Sequence, residues 1–230
     1  MTAPLVEVRD LTKHFPIRGG FFGGTKGFIH AADGVSFDIL PRQTVALVGE
    51  SGCGKTTTGR MILNLVSPTS GTVRFKGQDI FSLPPEAMRA TRRHMQIVFQ
   101  DPYSSLNPRL CIGQTIEEGL ILHTTLSAQE RRMRVAELLE TVGLSPSMAD
   151  RFPHEFSGGQ RQRIGVARAV SVSPELIVCD EAVSALDVSV QAQVLNLLCD
   201  LRERHGIAYL FITHDLSVVR HIADRVVVMY

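Results

Sequence analysis

Residues 49–56 carry the residue types and the spacing of a loop that binds phosphate. Gly49, Gly54, Lys55 and Thr56 follow the pattern G-x-x-x-x-G-K-[ST]. Glycines allow such a loop to turn its backbone N–H groups inward, and the start of the next helix adds partial positive charge, so the site suits a polyanion. Lys55 would reach the outer phosphates, and the Thr56 hydroxyl would hold Mg²⁺. The alternative is a glycine-rich turn that contains a lysine by chance. We expect ligand contacts along the loop from Gly49, Glu50, Ser51, Gly52, Cys53, Gly54, Lys55, Thr56 and Thr57.

Two acidic residues, Asp180 and Glu181, directly follow the apolar run 176–179. Four apolar residues in a row are typical of a strand that is buried on both faces of a parallel sheet. At the end of such a strand, Asp180 could hold Mg²⁺ through water, and Glu181 could orient and deprotonate a water that attacks a γ-phosphate. The alternative is a pair of solvated carboxylates at a strand end.

Three further polar elements stand at strand ends or helix starts. Gln100 follows the apolar run 97–99, and His214 follows the run 209–212. Both could contact a metal-bound water or a phosphate oxygen, although each could also be an ordinary turn residue. Ser157, Gly158, Gly159 and Gln160 precede a helical pattern, so the serine hydroxyl and the free N–H groups could form a second anion site. The alternative for this segment is a simple N-cap.

The elements that must position these residues indicate an α/β fold. Apolar runs alternate with helical patterns after residue 44, which predicts a mostly parallel sheet flanked by helices, with ligands at the carboxyl ends of its strands. Alternating apolar and polar residues near Val6 and Val35 predict an antiparallel β subdomain before it. Pro16 and the glycines at 19, 20, 23, 24 and 27 predict a loose surface loop between two of its strands.

A helical block is predicted between residues 101 and 171. It includes a capping box at Ser127 and Glu130 and a stop signal at Gly143. We therefore expect one domain over residues 1–230. Residues 1–100 and 172–230 would form its core with the β subdomain, and residues 101–171 would form an inserted α-helical subdomain.

Composition limits the possible partners and the location. The 230-residue chain has a formal net charge of +1, so nothing marks it as broadly basic, and we expect no nucleic-acid partner. It lacks an apolar run of about 18 residues, as a membrane span would need, and its first residues lack the pattern of a secretory signal. We therefore expect a cytosolic chain. The four cysteines form no C-x-x-C pair, which favours reduced thiols.

Together, these motifs resemble the full set found in the ATP-binding subunits of ABC transporters. The set comprises the phosphate loop, Gln100, residues 156–160, 176–181 and 184–187, and His214. The similarity covers essentially the whole chain and implies a P-loop NTPase core that binds ATP and Mg²⁺. The amino-acid sequence of residues 96–108 and 154–157 is similar to that of the branch that serves oligopeptide and dipeptide importers.

The resemblance also implies roles that single residues could not establish. Phe15 matches the position whose ring stacks on adenine, an interaction worth about 1–3 kcal/mol; core packing is its alternative. Lys55, Gln100, Glu181 and His214 match catalytic positions, and Thr56, Gln100 and Asp180 match metal-binding ones. Residues 157–160 would face the γ-phosphate bound by a second ATP-binding subunit. Asp187 would lie near that subunit's phosphate loop, or would serve as an N-cap.

The resemblance implies further partners as well. A groove beside the Gln100 segment would receive a helix from a transmembrane permease subunit, and a solute-binding protein would act indirectly. The chain would then work at the cytoplasmic face of the cell membrane. Two departures stand out: Ala182 replaces a common proline, so the turn at Glu181 could be less rigid, and the chain stops at Tyr230 where this branch usually continues.

Two other readings stay open from the sequence. One is a soluble ABC ATPase that acts on ribosomes or DNA, although such proteins typically carry two ATPase domains or a long coiled coil. The other is a P-loop kinase or a small GTPase, which would leave Ser157 and His214 without roles.

Overall fold

The computed structural model describes residues 3–19, 24–101 and 103–230. Within these ranges, an antiparallel sheet is built from four strands. These are β1 (Val6–Gly19), β2 (Gly24–Ile39), β4 (Ser70–Phe75) and β5 (Gln78–Asp79). Their order is β2-β1-β4-β5. The predicted antiparallel sheet is thereby confirmed.

The second sheet is parallel and carries the strand ends at which polar residues were predicted. It consists of β3 (Thr44–Gly49), β6 (Met95–Val98), β7 (Leu176–Asp180), β8 (Ala208–Ile212) and β9 (Arg225–Met229). The order is β6-β7-β8-β3-β9, and every pair runs parallel. Every residue of β7 and β8 is buried, as interior strands covered on both faces require.

Seven α-helices connect and cover the strands in the described part of the chain. They are α1 (Lys55–Ile62), α2 (Pro85–Arg92), α3 (Ile112–His123), α4 (Ala128–Thr141), α5 (Gly158–Val170), α6 (Val188–His205) and α7 (Leu216–Ile222). Capping boxes at Ser127 and Ser157 open α4 and α5. Gly206, with φ 69°, ends α6 in the left-handed conformation that glycine favours. Within the described ranges, no helix combines the length and the apolar composition that crossing a membrane requires.

Two large apolar clusters of the described residues fix the parallel sheet between its flanking layers. One joins the sheet to α3, α4, α5 and α6, and the other joins it to α1 and the antiparallel strands. Helix α1 lies very close to the sheet at Gly59, where a Cβ atom would stand 2.7 Å from Ile212 Cδ1 and 3.1 Å from Val178 Cγ1. This contact sets the position of the helix that follows the phosphate loop.

The prediction of a loose loop after Pro16 is wrong for the residues that the structure describes. Strand β1 continues through Pro16, which is paired with Phe28 of β2. Proline is tolerated there because β1 pairs with β4 only as far as Thr12, so the missing N–H group interrupts no ladder on the second side. Gly19 and Gly24 face each other as the last described pair, and Gly20 and Gly23 lie outside the described residues.

Candidate functional site

The predicted phosphate loop joins the end of β3 to the start of α1. Gly54 has φ 95°, and a Cβ atom there would lie 1.6 Å from the carbonyl oxygen of Ala31 in β2. Gly52 has φ 89°. A side chain at position 54 would therefore be strained and would also collide with the backbone, so the loop can approach β2 this closely only with glycine.

The Lys55 side chain is held inside this loop. The residue is 5% exposed, and its ammonium donates to the carbonyl oxygens of Gly49 at 2.9 Å and Glu50 at 2.6 Å. Cys53 Sγ lies 3.7 Å from the same nitrogen. The loop thus holds the Lys55 ammonium against its own carbonyl oxygens, at a position where a bound phosphate would contact it.

Thr56 and Asp180 meet across the ends of α1 and β7. The Thr56 hydroxyl donates to Asp180 Oδ1 at 2.7 Å. Burial raises the pKa of the Asp180 carboxyl, although the hydrogen bond from Thr56 and the charges of Arg60 and Lys55 act in the opposite direction. A hydroxyl and a carboxylate are the oxygen donors that Mg²⁺ accepts, and a divalent cation would offset the cost of the buried negative charge. This donor pair therefore fits Mg²⁺.

Glu181 has an uncommon backbone conformation and a well-defined set of partners. Its φ is 49°, in the left-handed region that costs a residue other than glycine about 1–3 kcal/mol. Its N–H group donates to the carbonyl of Ile212 at 3.0 Å. Its carboxylate accepts from Gln100 Nε2 at 2.8 Å, and His214 Nδ1 lies 3.4 Å from the other oxygen. Three predicted residues from three strand ends are thus brought together.

Hydrogen bonds close the turn after Glu181, although Ala182 stands where the resemblance would place a proline. The carbonyl oxygen of Glu181 accepts from the N–H group of Ser184 at 3.1 Å and from its hydroxyl at 3.0 Å. Ala182 is 1% exposed and packs in the core. Hydrogen bonds and burial therefore hold the segment that the Ala182 substitution was expected to loosen.

A cleft of about 340 Å³ lies between the phosphate loop, Gln100, Glu181 and β2. Eight of the site residues predicted from the sequence line this cleft: Ser51, Gly52, Gly54, Lys55, Thr56, Thr57, Gln100 and Glu181. Ile29, His30 and Ala31 complete its wall, and the sequence reasoning missed them. Their position at the cleft follows from the register of β1 against β2, and the glycine-rich sequence between the two strands gives no local signal of that register.

Phe15 lies beside this wall and does not line the cleft. It is paired with Ile29 across the two strands, and it is 39% exposed. The Lys13 ammonium lies 4.8 Å from the centre of its ring. Core packing is therefore not the role of Phe15, and one face of the ring already contacts a cation.

Residues Ser157 to Gln160 stand at the start of α5 and do not line the cleft of their own chain. Ser157 Oγ accepts from the Gln160 N–H group at 3.3 Å, and Gln160 Oε1 accepts from the Ser157 N–H group at 3.0 Å. Gly159 lies against α6, since a Cβ atom there would be 2.2 Å from Val190 Cγ1. The motif is therefore a helix start held rigidly on α6.

Asp187 occupies the N-cap position of α6, but its side chain makes no capping hydrogen bond. Its position therefore agrees with the N-cap alternative, whereas its carboxylate does not perform that function. Pro102, part of the segment that carries the family resemblance, lies outside the described residues.

Comparisons with known proteins agree with this arrangement. A family model described as "ABC transporter" matches residues 32–184. The chain is 56% identical to the oligopeptide transport ATP-binding protein AppF of Bacillus subtilis (strain 168), over 98% of this chain and 69% of that protein. It is 50% identical to the dipeptide transport ATP-binding protein DppF of Escherichia coli (strain K12), over 99% of this chain and 68% of that protein. The chain thus spans about two thirds of the length of these relatives.

The fold is also similar to that of a solved structure. This is the dimeric structure of an ATP-binding cassette in a post-hydrolysis state, bound to ADP and Pi. The TM-score is 0.84 at 30% sequence identity, and the match covers 97% of this chain and 94% of the other.

Proposed function

Because the chain belongs to the ABC transporter family, we propose that it binds and hydrolyses ATP with Mg²⁺ to power the import of oligopeptides or dipeptides. The observation that carries this proposal is the position of the Glu181 carboxylate, which lines the cleft together with Lys55 and Thr56. Two relatives are named as transport proteins for oligopeptides and dipeptides. Their names favour transport over action on ribosomes or DNA.

Each part of the site has a role in this reaction. The phosphate loop and Lys55 bind the phosphates of ATP, and Thr56 and Asp180 hold Mg²⁺, with Gln100 as a further contact. When bound, Mg²⁺ neutralises charge on the β- and γ-phosphate oxygens. Glu181 takes a proton from the water whose oxygen attacks the γ-phosphorus, and the bond to the leaving ADP breaks.

Gln100 and His214 position the base in this scheme. Both contact the Glu181 carboxylate, one on each oxygen. With both oxygens engaged, the carboxylate is restrained in its rotation, so the proton acceptor has a defined direction. Through its proposed contact with Mg²⁺, Gln100 would also link the base to the metal.

A second cassette completes the site. Ser157 to Gln160 form the start of α5, where the capping box engages the N–H groups of Ser157 and Gln160 and leaves those of Gly158 and Gly159 for a ligand. These residues do not line the cleft of their own chain. We propose that they close on the γ-phosphate held by a second ATP-binding subunit, identical or related, and that Asp187 approaches that subunit's phosphate loop. The carboxylate of Asp187 is available for this contact because it does not cap α6.

The expected division of the chain agrees with this role. Residues 101–171, which include α3, α4 and α5, would act as a helical subdomain that carries the Ser157 motif. Residues 1–100 and 172–230 would act as the core that carries the other motifs. ATP would then be held between the core of one subunit and the helical subdomain of the other.

We propose that the permease docks in a second cleft, which contains no described residue of the Gln100 segment beside which the groove was expected. It measures about 960 Å³ and lies between α2 and the end of α3. Its lining includes Arg89, Arg93, His94, His123 and Arg134, and among the described residues that line it Glu86 alone is acidic. Burial, followed by the charges of Arg89, Arg93 and His94, lowers the pKa of His123.

This basic cleft is suited to a permease helix whose inserted end carries negative charge. Acidic side chains or the C-terminal end of a helix would supply that charge. Docking there would place the chain at the cytoplasmic face of the membrane, and a solute-binding protein would act only through the permease.

Transport by the reconstituted complex tests the proposal. Vesicles that contain the permease subunits and this chain should take up labelled peptides only with ATP and Mg²⁺, and Glu181→Gln should stop the uptake. Uptake that needs no ATP, or no uptake of any peptide, would remove the proposal. Co-purification separates the alternative, since ribosomes or DNA in place of a membrane protein would support the non-transport reading.

A further inference from the structure

Three side chains with metal-binding atoms converge on the ribbon formed by β1 and β2. They are His14, His30 and Asp33, and one donor atom from each lies within 4.8 Å of the others. His14 and His30 are register partners, and their ring centres are 3.9 Å apart. Asp33 Oδ1 lies 3.8 Å from His14 Nε2, and Asp33 Oδ2 lies 3.8 Å from His30 Nδ1. The pairing of the strands therefore places two imidazoles and a carboxylate around one point.

The donor atom of His14 lacks a hydrogen-bonding partner among the described residues. His14 Nε2 is buried and makes no hydrogen bond within the described part of the chain. A buried polar nitrogen without a hydrogen bond is costly, and a bound ion would satisfy it. The nucleotide chemistry proposed above uses neither His14 nor Asp33.

We propose that His14, His30 and Asp33 bind a divalent cation of the Zn²⁺ type. Two imidazole nitrogens and one carboxylate oxygen form a donor set that Zn²⁺ accepts, whereas Mg²⁺ prefers oxygen donors. Zn–N and Zn–O bonds of about 2.0–2.2 Å place tetrahedral donors roughly 3.3–3.6 Å apart. The donor atoms, one from each residue, lie within 4.8 Å of one another, so binding would draw them together by up to about 1.5 Å.

The surface position allows that closure and supplies the remaining ligand. The side chains of His30 and Asp33 are 59% and 72% exposed, so both can adjust by small rotations. Water from the exposed side would complete the coordination. This site is separate from the Thr56–Asp180 pair, and its existence does not depend on the proposed ATPase function.

The metal site would also bear on the nucleotide cleft. His30 and Ala31 line that cleft, and Ala31 lies against Gly54 of the phosphate loop. A cation that holds His30 to His14 would therefore fix one wall of the cleft.

Metal titration of the whole chain without nucleotide tests this proposal, since ATP itself would chelate the metal. Calorimetry with Zn²⁺ should give one site per chain. His14→Asn and His30→Asn should each weaken binding by about 100-fold or more, beyond the range for indirect supporting groups. His205→Asn, an exposed histidine at the end of α6, should leave the affinity unchanged.

Cobalt substitution separates this site from the cysteines. Bound Co²⁺ should show d–d bands typical of nitrogen and oxygen donors, without a thiolate charge-transfer band. Affinity that is unchanged in both histidine variants, or a thiolate band, would overturn the proposal. Circular dichroism checks folding, and His30→Asn keeps the test decisive if His14→Asn fails to fold, because the His30 side chain is largely exposed.

Discussion

The side-chain amide of Gln100, two residues beyond the end of β6, donates to the carboxylate of Glu181, the residue after β7, at 2.8 Å. Residues 81 positions apart in the chain meet because β6 and β7 are parallel neighbours. Their carboxyl ends consequently lie at one edge of the sheet. A general base is thereby placed at the cleft that contains the phosphate loop.

Replacement of Glu181 by Gln tests this base. Glutamine keeps the size of the side chain and can still accept the hydrogen bond from Gln100, but it cannot take a proton from water. Loss of a positioned general base costs roughly 100- to 10,000-fold in rate. We expect Glu181→Gln to lower ATP hydrolysis by that factor and to leave ATP binding, measured by calorimetry, close to the parent value.

Glu140→Gln is a matched control for this variant, since Glu140 is an exposed residue of α4. It should hydrolyse ATP at the parent rate. If the Glu181 variant also stayed within a few-fold of the parent, another group would have to be the base.

Asp180→Asn should stabilise the folded chain and at the same time remove its activity. Burial raises the pKa of Asp180, so its ionised form destabilises the folded chain at neutral pH. Asparagine keeps an oxygen that accepts from Thr56 but carries no charge. We expect a higher melting temperature in the absence of nucleotide, together with loss of Mg²⁺-dependent hydrolysis.

Asp200→Asn, in an exposed position of α6, should change neither quantity. A lower melting temperature for Asp180→Asn would contradict the assignment of Asp180 as a destabilising buried charge.

Substitution of Ser157 by Phe should block the second half of the nucleotide site. Ser157 and Ser127 are both N-caps in capping boxes. Either change should therefore cost a similar amount of stability, about 0.5–2 kcal/mol. Only Ser157→Phe should abolish hydrolysis, because a bulky ring would keep the helix start of α5 away from the γ-phosphate of the other subunit.

ATP binding by the isolated Ser157→Phe chain should persist, and the activity of Ser127→Phe should follow that of the parent. Equal loss of activity in both variants would mean that Ser157 acts only as a helix cap and does not contribute to the nucleotide site of a second subunit.

The cap of α7 predicts a pH dependence of stability. Asp215 accepts from the N–H group of Ser217 at 2.8 Å, and hydrogen bonds from Ser217 lower the pKa of this carboxyl. A lowered pKa in the folded chain gives stability that is present above the ordinary value of about 3.9 and is lost as the pH falls through the lowered value. Asp215→Ala should cost about 1 kcal/mol at pH 7.

Urea unfolding at neutral and acidic pH measures this effect. The difference between the parent and Asp215→Ala should shrink on acidification, and Asp215→Asn should keep most of the stability because asparagine also caps helices. A difference that grows at low pH would contradict the assignment.

Much of this fold follows from local sequence signals. The parallel sheet, the capping box at Ser127 and the helix start at Ser157 are confirmed because apolar runs and caps each act over a few residues. The family predicted from the motifs is confirmed as well.

Other features depend on pairings that no local pattern encodes. The extension of β1 past Pro16 requires that this part of the strand lack a second neighbour, which only the order of the sheet reveals. Ile29 and His30 reach the cleft through the same strand pairing. The exposure of Phe15, and the distance of Ser157 from the cleft of its own chain, likewise depend on tertiary structure.

The most direct test of the account is the rate of ATP hydrolysis per chain as a function of protein concentration. If residues 157–160 of one subunit complete the site of another, the rate per chain should rise with concentration while ATP binding stays constant, and Ser157→Phe should show no rise. A rate per chain that is the same at all concentrations, in the parent and in the variant, would contradict a site shared between two subunits.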